Sequence, residues 1–325
     1  MFLTRHDAPT QQKGFDMPQY ATLARSAEPF SQRRSVTPTV ASRAELEQLL
    51  ADDVPYGDLT TDALGIGAAR GAMAFTARDD MVLALAEDAA AIIELAGGKV
   101  ELHAASGDAL AQGSPILTAH GPASALLRGW KVAQTLIEVW SGVATDARAI
   151  VDAATAVAPA ITIACTRKNI PGTKRFAVAA VRAGGAVMHR LGLSETVLVF
   201  PEHRAFLGGE LLIESVERLR RAAPEKKLVI EVNTIEAAIN AAAAGFDVIQ
   251  AEKFSPTEIA ALVARMSLMA SIRSAPPVVI AAGGIHAGNV GAYAKAGAGI
   301  VVTSSPYLAR PRDVQVRIGP SSGKH

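Results

Sequence analysis

From residue 161 to residue 303 short apolar runs alternate with helix-compatible stretches, and that alternation leaves few folds open. Residues 161–164, 196–200, 228–232, 247–250, 278–282 and 299–303 read as strands. Residues 175–183, 235–244, 256–271 and 288–296 read as helices between them, with Gly184-Gly185 and Gly245 as stop signals. Largely apolar strands that alternate with helices predict a parallel sheet covered on both faces. About six such strands suffice for an open (β/α) barrel, and in α/β barrels the C-terminal strand ends face the active site.

The front of the chain follows another pattern. Residues 1–40, rich in Gln, Ser, Thr and Pro and without an apolar period, are expected to form a flexible extension. Ordered structure is expected from Ser42-Arg43-Ala44-Glu45, a capping box heading a short helix with Leu46, Leu49 and Leu50 inward. The run from Asp52 to Thr61 gathers acids and hydroxyls around Pro55 and Gly57. It suits a ligand or metal loop or, more simply, side chains that tie the backbone of their own turn. Residues 72–77, 81–85, 99–103 and 116–119 are strand-like around a helix at 87–96, so residues 41–123 read as an α+β domain. A helix over 124–140 carries Leu126, Trp130, Ala133, Ile137 and Trp140 on one face. Ser141-Gly142 is expected to break it, with a second helix over 146–158. The barrel domain is then residues 124–310. In the tail, 311–325, an alternating run at 314–318 could return as an edge strand to the first domain.

Half the residues are hydrophobic but only 5% aromatic, so the core must be built from Ala, Val, Leu and Ile, which favours α/β packing. A formal net charge of +1 gives no electrostatic reason to expect nucleic acid or a membrane as partner. The one cysteine, Cys165, excludes an intrachain disulfide and suits a reducing compartment. No apolar run reaches the length of a membrane span and the N-terminus lacks the apolar core of a signal peptide, so a soluble, cytoplasmic protein is expected.

Against that near-neutral background the central segment is locally basic. Arg167 and Lys168 follow the strand at 161–164, Lys174 and Arg175 follow Pro171-Gly172, and His189-Arg190 follow Gly184-Gly185. Guanidinium and ammonium groups gathered near strand and helix ends suit a small ligand with several negative charges. Later, Gly283-Gly284 and Ser304-Ser305 fall after two successive strands, where barrels commonly hold phosphate, although Gly-Gly also simply turns a chain. Glu231 and Glu252 fall near two strand ends, where carboxylates hold ribose hydroxyls or Mg²⁺, or pair with neighbouring cations. Lys131 flanks the apolar stripe of its helix, a place where lysines ordinarily snorkel. Cys165 reads as a packed core thiol.

In order, TRKNIPGTKRFAVAAVRAGGAVMHRLGL, VLVFPEH, IEVN, the Glu252 segment and AAGGI resemble the quinolinate phosphoribosyltransferase (nicotinate-nucleotide pyrophosphorylase) family. DDVPYGDLTTD and SGVAT fit as well, and the resemblance spans about residues 42–318. WKVAQTLIEVWSGVAT, GGAVMHRLGLSE and VLVFPEH look closer still to the family's ModD branch, the pyrophosphorylases associated with molybdate transport. The resemblance implies an N-terminal α/β sandwich, an open α/β barrel and a head-to-tail homodimer with composite active sites. It also implies roles. Arg167, His189 and Arg190 would bind the carboxylates of a pyridine-like acid, and Lys168 the phosphoribosyl pyrophosphate. Glu231 and Glu252 would take the catalytic ribose and Mg²⁺ positions, and Gly283 and Gly284 the 5-phosphate.

Four positions depart from the family. Phe200 stands where it usually has a substrate-binding lysine, and Lys131 where it has an arginine reaching into the neighbouring subunit. Glu252 replaces an aspartate and Lys253 the asparagine beside it. Exchanging a cation for Phe200 removes a partner for one carboxylate, so the acceptor is expected to be quinolinate-like without being quinolinate. The expected activity is phosphoribosyl transfer from phosphoribosyl pyrophosphate to an anionic aromatic acceptor. The alternative is a non-catalytic barrel that binds a phosphorylated or oxyanion ligand in molybdate handling.

Overall fold

The computed structural model describes residues 38–269 and 275–321. Most of the expected N-terminal extension, the end of the helix expected at 256–271 and the last four residues of the tail lie outside the described residues.

Two layers of unlike design follow one another. The smaller begins with α1 (Arg43–Asp53) and the short α2 (Leu59–Ala63), then β1 (Arg70–Ala77), β2 (Met81–Val82) and α3 (Ala86–Leu95). It continues through β3 (Lys99–Leu102), β4 (Ala109–Leu110) and β5 (Pro115–Pro122). The capping box at Ser42 and Glu45 forms as the sequence implies. In the acidic loop that follows, Asp58 accepts hydrogen bonds from the Thr60 and Thr61 backbone and so caps α2. Of the two readings of this loop, the structure shows the local one. β1 alternates buried and half-buried residues, sending Met73, Phe75 and Ala77 into the core. An antiparallel sheet covered on one face needs that pattern. Its order is β13-β1-β5-β3, because the last strand, β13 (Val314–Pro320), returns from the far end of the chain to pair with β1.

One helix joins the two halves. The sequence predicts a break at Ser141-Gly142, but α4 (Ala123–Thr155) runs unbroken through it for 33 residues. At 1.5 Å per residue it is about 50 Å long. It packs against α3 and β2 on one side and on the barrel's elements on the other. The residues read as a breaker are instead contact points. Ser141 Oγ accepts the Ala84 N–H at 3.0 Å, and Gly142 leaves room for the backbone at Arg310 and Pro311. Glycine inside a helix costs about 1 kcal/mol relative to alanine, which this close approach offsets.

The larger layer is a parallel sheet. Its elements are β6 (Thr162–Cys165), α5 (Lys174–Ala183), β7 (Val187–Met188), β8 (Val197–Val199), α6 (Pro201–Arg204) and α7 (Leu212–Ala222). Then come β9 (Leu228–Val232), α8 (Ile235–Ala244), β10 (Val248–Glu252), α9 (Pro256–Leu268), β11 (Val278–Ala282), α10 (Val290–Lys295) and β12 (Ile300–Thr303). Among the described residues the sheet has seven strands in the order β7-β6-β12-β11-β10-β9-β8. That is one more than the sequence reading counted, because β7 is only two residues long. The sheet curls without closing, and β7 and β8 are its two edges. Among the described residues no helix is long and apolar enough to cross a membrane.

A β-carbon on Gly142 would overlap the Arg310 carbonyl and lie 3.2 Å from Pro311 Cα, whereas one on Gly319 would meet nothing within 4 Å. Gly142→Ala should therefore lower stability by about 2 kcal/mol, in the range for overpacked sites, and Gly319→Ala should be near neutral. Thermal unfolding of the two variants side by side checks this, and equal melting points would refute it.

Candidate active site

Each barrel strand sends every second residue into the lumen. Leu198, Val229, Val248, Ile280 and Val302 meet there as an apolar cluster separate from the main core. At the C-terminal strand ends a cavity of about 720 Å³ opens, within the range of small-molecule sites. It is lined by Arg167, Lys168, His189, Arg190, Phe200, Glu231, Glu252, Gly283, Gly284, Ser304 and Ser305, all singled out in the sequence.

The cations come from the β6 and β7 side. The backbone after β6 is fixed by Tyr307, whose hydroxyl donates to the Thr166 carbonyl at 2.9 Å, and Thr166 Oγ1 accepts the Lys168 N–H. Beside it the His189 N–H donates to the Cys165 carbonyl, which sets His189 and Arg190 at the end of β7. Arg190 is 5% exposed and, among the described residues, forms no ion pair with a carboxylate; its guanidinium carbon sits 5.5 Å from the centre of the Phe200 ring. Burial, and then the neighbouring Arg167, depress its affinity for its own proton. His189 is likewise pushed below the ordinary imidazole range, first by burial and then by Arg190, so it is neutral at physiological pH. A buried cation held against cations is costly unless an anion joins it.

The carboxylates come from β9 and β10. Burial pushes the Glu231 carboxyl above its usual range, Gln250 opposes that shift, and Glu252 adds to it. Neither Glu231 nor Glu252 forms an ion pair among the described residues, so the structural salt bridge weighed from the sequence is not what holds them. Gln250 Nε2 instead donates to Glu231 Oε2 at 2.6 Å.

The third wall is backbone. Gly283 and Gly284 have φ of +93° and +70°, and a β-carbon on Gly283 would lie 2.8 Å from Lys253 Cγ. Lys253 itself is left-handed at φ 60°, a conformation that costs a non-glycine residue about 1 kcal/mol. Its N–H donates to the Ala282 carbonyl at 2.7 Å, which ties the ends of β10 and β11 together. Ser304 lines the cavity, but the Ser305 hydroxyl is engaged, donating to Asp146 on α4 at 3.1 Å.

One expected residue is elsewhere. Lys131 is exposed on α4, its ammonium 4.3 Å from the Trp130 ring centre and hydrogen-bonded to Gln134, outside the cavity lining. Lys174 and Arg175 also lie away from it, and Arg175 pairs with Glu45. Cys165 is fully buried, its thiol pushed up to about 12 by burial and Asp146, in keeping with a packed core thiol. Gln250, Glu202 and His286 line the cavity without having been singled out. For Gln250 a signal existed: it is a polar residue in the middle of a short strand, two residues before Glu252 and so on the same face.

Residues 143–317 match the C-terminal domain of quinolinate phosphoribosyl transferase as a sequence family, and residues 58–141 match its N-terminal domain. The chain belongs to the quinolinate phosphoribosyltransferase family of pentosyltransferases. Within it, the "Putative pyrophosphorylase ModD" of Rhodobacter capsulatus is 48% identical over 244 residues, which cover 75% of this chain and 92% of that protein. The "Probable nicotinate-nucleotide pyrophosphorylase" of Methanothermobacter thermautotrophicus is 30% identical over 278 residues, covering 84% and 97%. The solved nicotinate-nucleotide pyrophosphorylase of Francisella tularensis superposes with a TM-score of 0.77 at 21% identity, over 87% of this chain and all of that one. That likeness is one of fold, and the fold is the small α/β domain and open parallel barrel that the sequence resemblance implied.

The raised Glu231 carboxyl has a consequence for stability. A carboxyl that titrates higher in the folded than in the unfolded chain stabilises fully below about 4.5, and that contribution is lost as pH rises through the folded value. Glu231→Gln, which keeps an acceptor for Gln250, should raise the thermal midpoint at neutral pH. The gain should shrink toward acid pH. A lower neutral-pH midpoint in the variant would show that the protein stabilises this charge.

Proposed function

We propose that the protein transfers the phosphoribosyl group of phosphoribosyl pyrophosphate to an anionic aromatic acid, with release of pyrophosphate. A ring nitrogen of the acceptor forms the new bond to the ribose C1 as the bond to pyrophosphate breaks. The observation that carries the reading is Arg190, a buried guanidinium facing a family-type cavity and, among the described residues, in no ion pair with a carboxylate. Arg167 and Arg190 bind and orient the acid by charge-assisted hydrogen bonds. His189, neutral when the site is empty, lends a hydrogen bond to the same edge. Lys168 binds the donor's pyrophosphate, and the loops at Gly283-Gly284 and Ser304 offer N–H groups and a hydroxyl to the 5-phosphate. Glu231 and Glu252 face the ribose.

Among the described residues no group of three or more His, Cys, Asp or Glu is placed to hold a metal ion by itself. Two carboxylates on one rim nevertheless fit Mg²⁺, which is commonly bound by one or two carboxylates plus substrate phosphates. Glu231 and Glu252 would hold it, and when bound it would neutralise charge on the departing pyrophosphate.

Phe200 sets the acceptor class. It follows β8, on the lumen face shared with Leu198, stacks on His203 at 5.8 Å between ring centres, and lies beneath Arg190. It gives a flat apolar wall to an aromatic ring and no donor to a second carboxylate. The acceptor is therefore an aromatic acid with one strongly held anionic edge, and quinolinate is a poor fit.

The exposed Lys131 belongs to the same reading. A cation on the long helix, clear of its own cavity, supports a homodimer in which it completes the partner's site. Light scattering at micromolar concentration should show a dimer, and a fully active monomer would remove the role given to Lys131.

Pyrophosphate release with phosphoribosyl pyrophosphate, Mg²⁺ and a panel of aromatic acids tests the activity. Arg167→Ala should reduce kcat/KM by about tenfold to a hundredfold or more, the loss of one or two charge-assisted hydrogen bonds. No release with any acid would leave the barrel as an oxyanion-binding protein. Phe200→Lys should raise quinolinate-dependent release by about tenfold to a hundredfold. Because the new cation lies beside Arg190, the empty variant should also melt lower and recover more on adding quinolinate. If the natural protein already turns quinolinate over efficiently and the variant is no better, Phe200 does not set specificity.

A further inference from the structure

Gln250 occupies a place where the barrel's own logic calls for an apolar side chain. It is the middle residue of β10, on the lumen face between Val248 and Glu252, paired in register with Glu231 on β9 and Ile280 on β11. It is 4% exposed and rests on the apolar lumen cluster, yet it lines the cavity. One end of its amide is committed, since Nε2 donates to Glu231 Oε2 at 2.6 Å. The other end is not: Oε1 is buried and has no hydrogen-bond partner among the described residues. A buried acceptor left unpaired is a standing cost to the fold, and such atoms are rare unless a ligand uses them.

The chemistry that would satisfy it is a donor. An amide oxygen beside a carboxylate offers nothing to an anion; of the cavity's cations, Arg167, Lys168 and Arg190 stand on the β6 and β7 side and Lys253 follows the end of β10. Two acceptors fixed side by side, one from each of two paired strands, match two adjacent hydroxyl groups of a sugar. We propose that Gln250 is a substrate-contacting residue whose Oε1 accepts a ribose hydroxyl of the phosphoribosyl donor, in a diol subsite shared with Glu231. The assignment rests on the phosphoribosyl transfer proposed above. It adds to it the residue that reads the sugar: Gln250 is neutral, so it recognises a hydroxyl without adding charge to a wall that already carries Glu231 and Glu252.

The test is direct binding, by calorimetry, to the natural protein, Gln250→Met and Gln250→Asn. Methionine keeps the volume and suits the apolar lumen, and asparagine keeps the amide but shortens its reach; thermal unfolding confirms that each is folded. The probes are phosphoribosyl pyrophosphate with Mg²⁺, ribose 5-phosphate without metal, and inorganic pyrophosphate with Mg²⁺. Both variants should bind the two ribose compounds about tenfold more weakly, the effect of one lost hydrogen bond, and pyrophosphate unchanged. An equal loss for all three probes would mean a general disturbance of the lumen, and a loss seen only with Mg²⁺ would mean metal ligation; either overturns the proposal. So would unchanged ribose binding with a raised KM for the aromatic acid, which would place the donor on the acceptor. A natural protein that binds neither ribose compound overturns the phosphoribosyl reading as well. One that binds both, with variants that bind them equally well, overturns only the role of Gln250.

Discussion

Parallel strand order is the constraint from which the rest of this structure follows. Seven strands running the same way bring all their C-terminal ends to one rim, so the loops after them share one cavity however far apart they lie in sequence. Parallel pairing also needs a helical crossover between strands, which buries both faces of the sheet and leaves the rim as the place where charge is tolerated. α4 then binds this half to the smaller one by a close approach at Gly142, and β13 closes the chain back onto β1.

On that rim the protein keeps opposite charges apart. Among the described residues Arg190 is buried without an ion pair and Glu231 is partly buried without one, Lys168 acting on it only through space, each a cost that a direct ion pair would reduce. Phe200 is the spacer. It follows β8, whose Val199 pairs with Ile230, so it comes level with Glu231 on the adjoining strand while its ring faces Arg190. The flat side of an aromatic ring is weakly attractive to a cation, so Arg190 is steadied without being neutralised.

What the sequence made legible was whatever depends on local period. The runs at 228–232 and 278–282 were read to the residue because β-branched strands between helices have no competing pattern. β7 escaped because two residues carry no period, and its existence rests on pairing with β6. The supposed break at Ser141-Gly142 misled for a related reason. A glycine marks a turn by default, and only tertiary contact with residue 310 shows that this one serves packing. In the site, the charged residues at strand ends were legible as types, and their common rim followed from the fold. Orientation was not. Nothing local distinguishes Ser304 on the cavity from Ser305, which turns to Asp146 on a helix more than 150 residues away.

The two halves of the cavity rest on different strands, which bears on how such a site can change its substrate. On the proposed reading the acid is held from β6, β7 and β8 and the sugar from β9 to β12, with Lys168 after β6 reaching across to the pyrophosphate. An exchange such as lysine for phenylalanine at position 200 alters one half while leaving the glycine loops of the other in place. The halves are still in contact at one seam: Arg204, on the short helix after Phe200, reaches the Glu231 carbonyl at 3.4 Å. A change at the end of β8 that moved this helix would reach the donor half through that contact. Phe200 leaves it intact, since its own N–H donates to His203 Nδ1 at 2.9 Å and anchors the first turn. Substitution of the side chain at position 200 with retention of this backbone contact therefore changes the β8 wall of the cavity without moving the helix that touches β9.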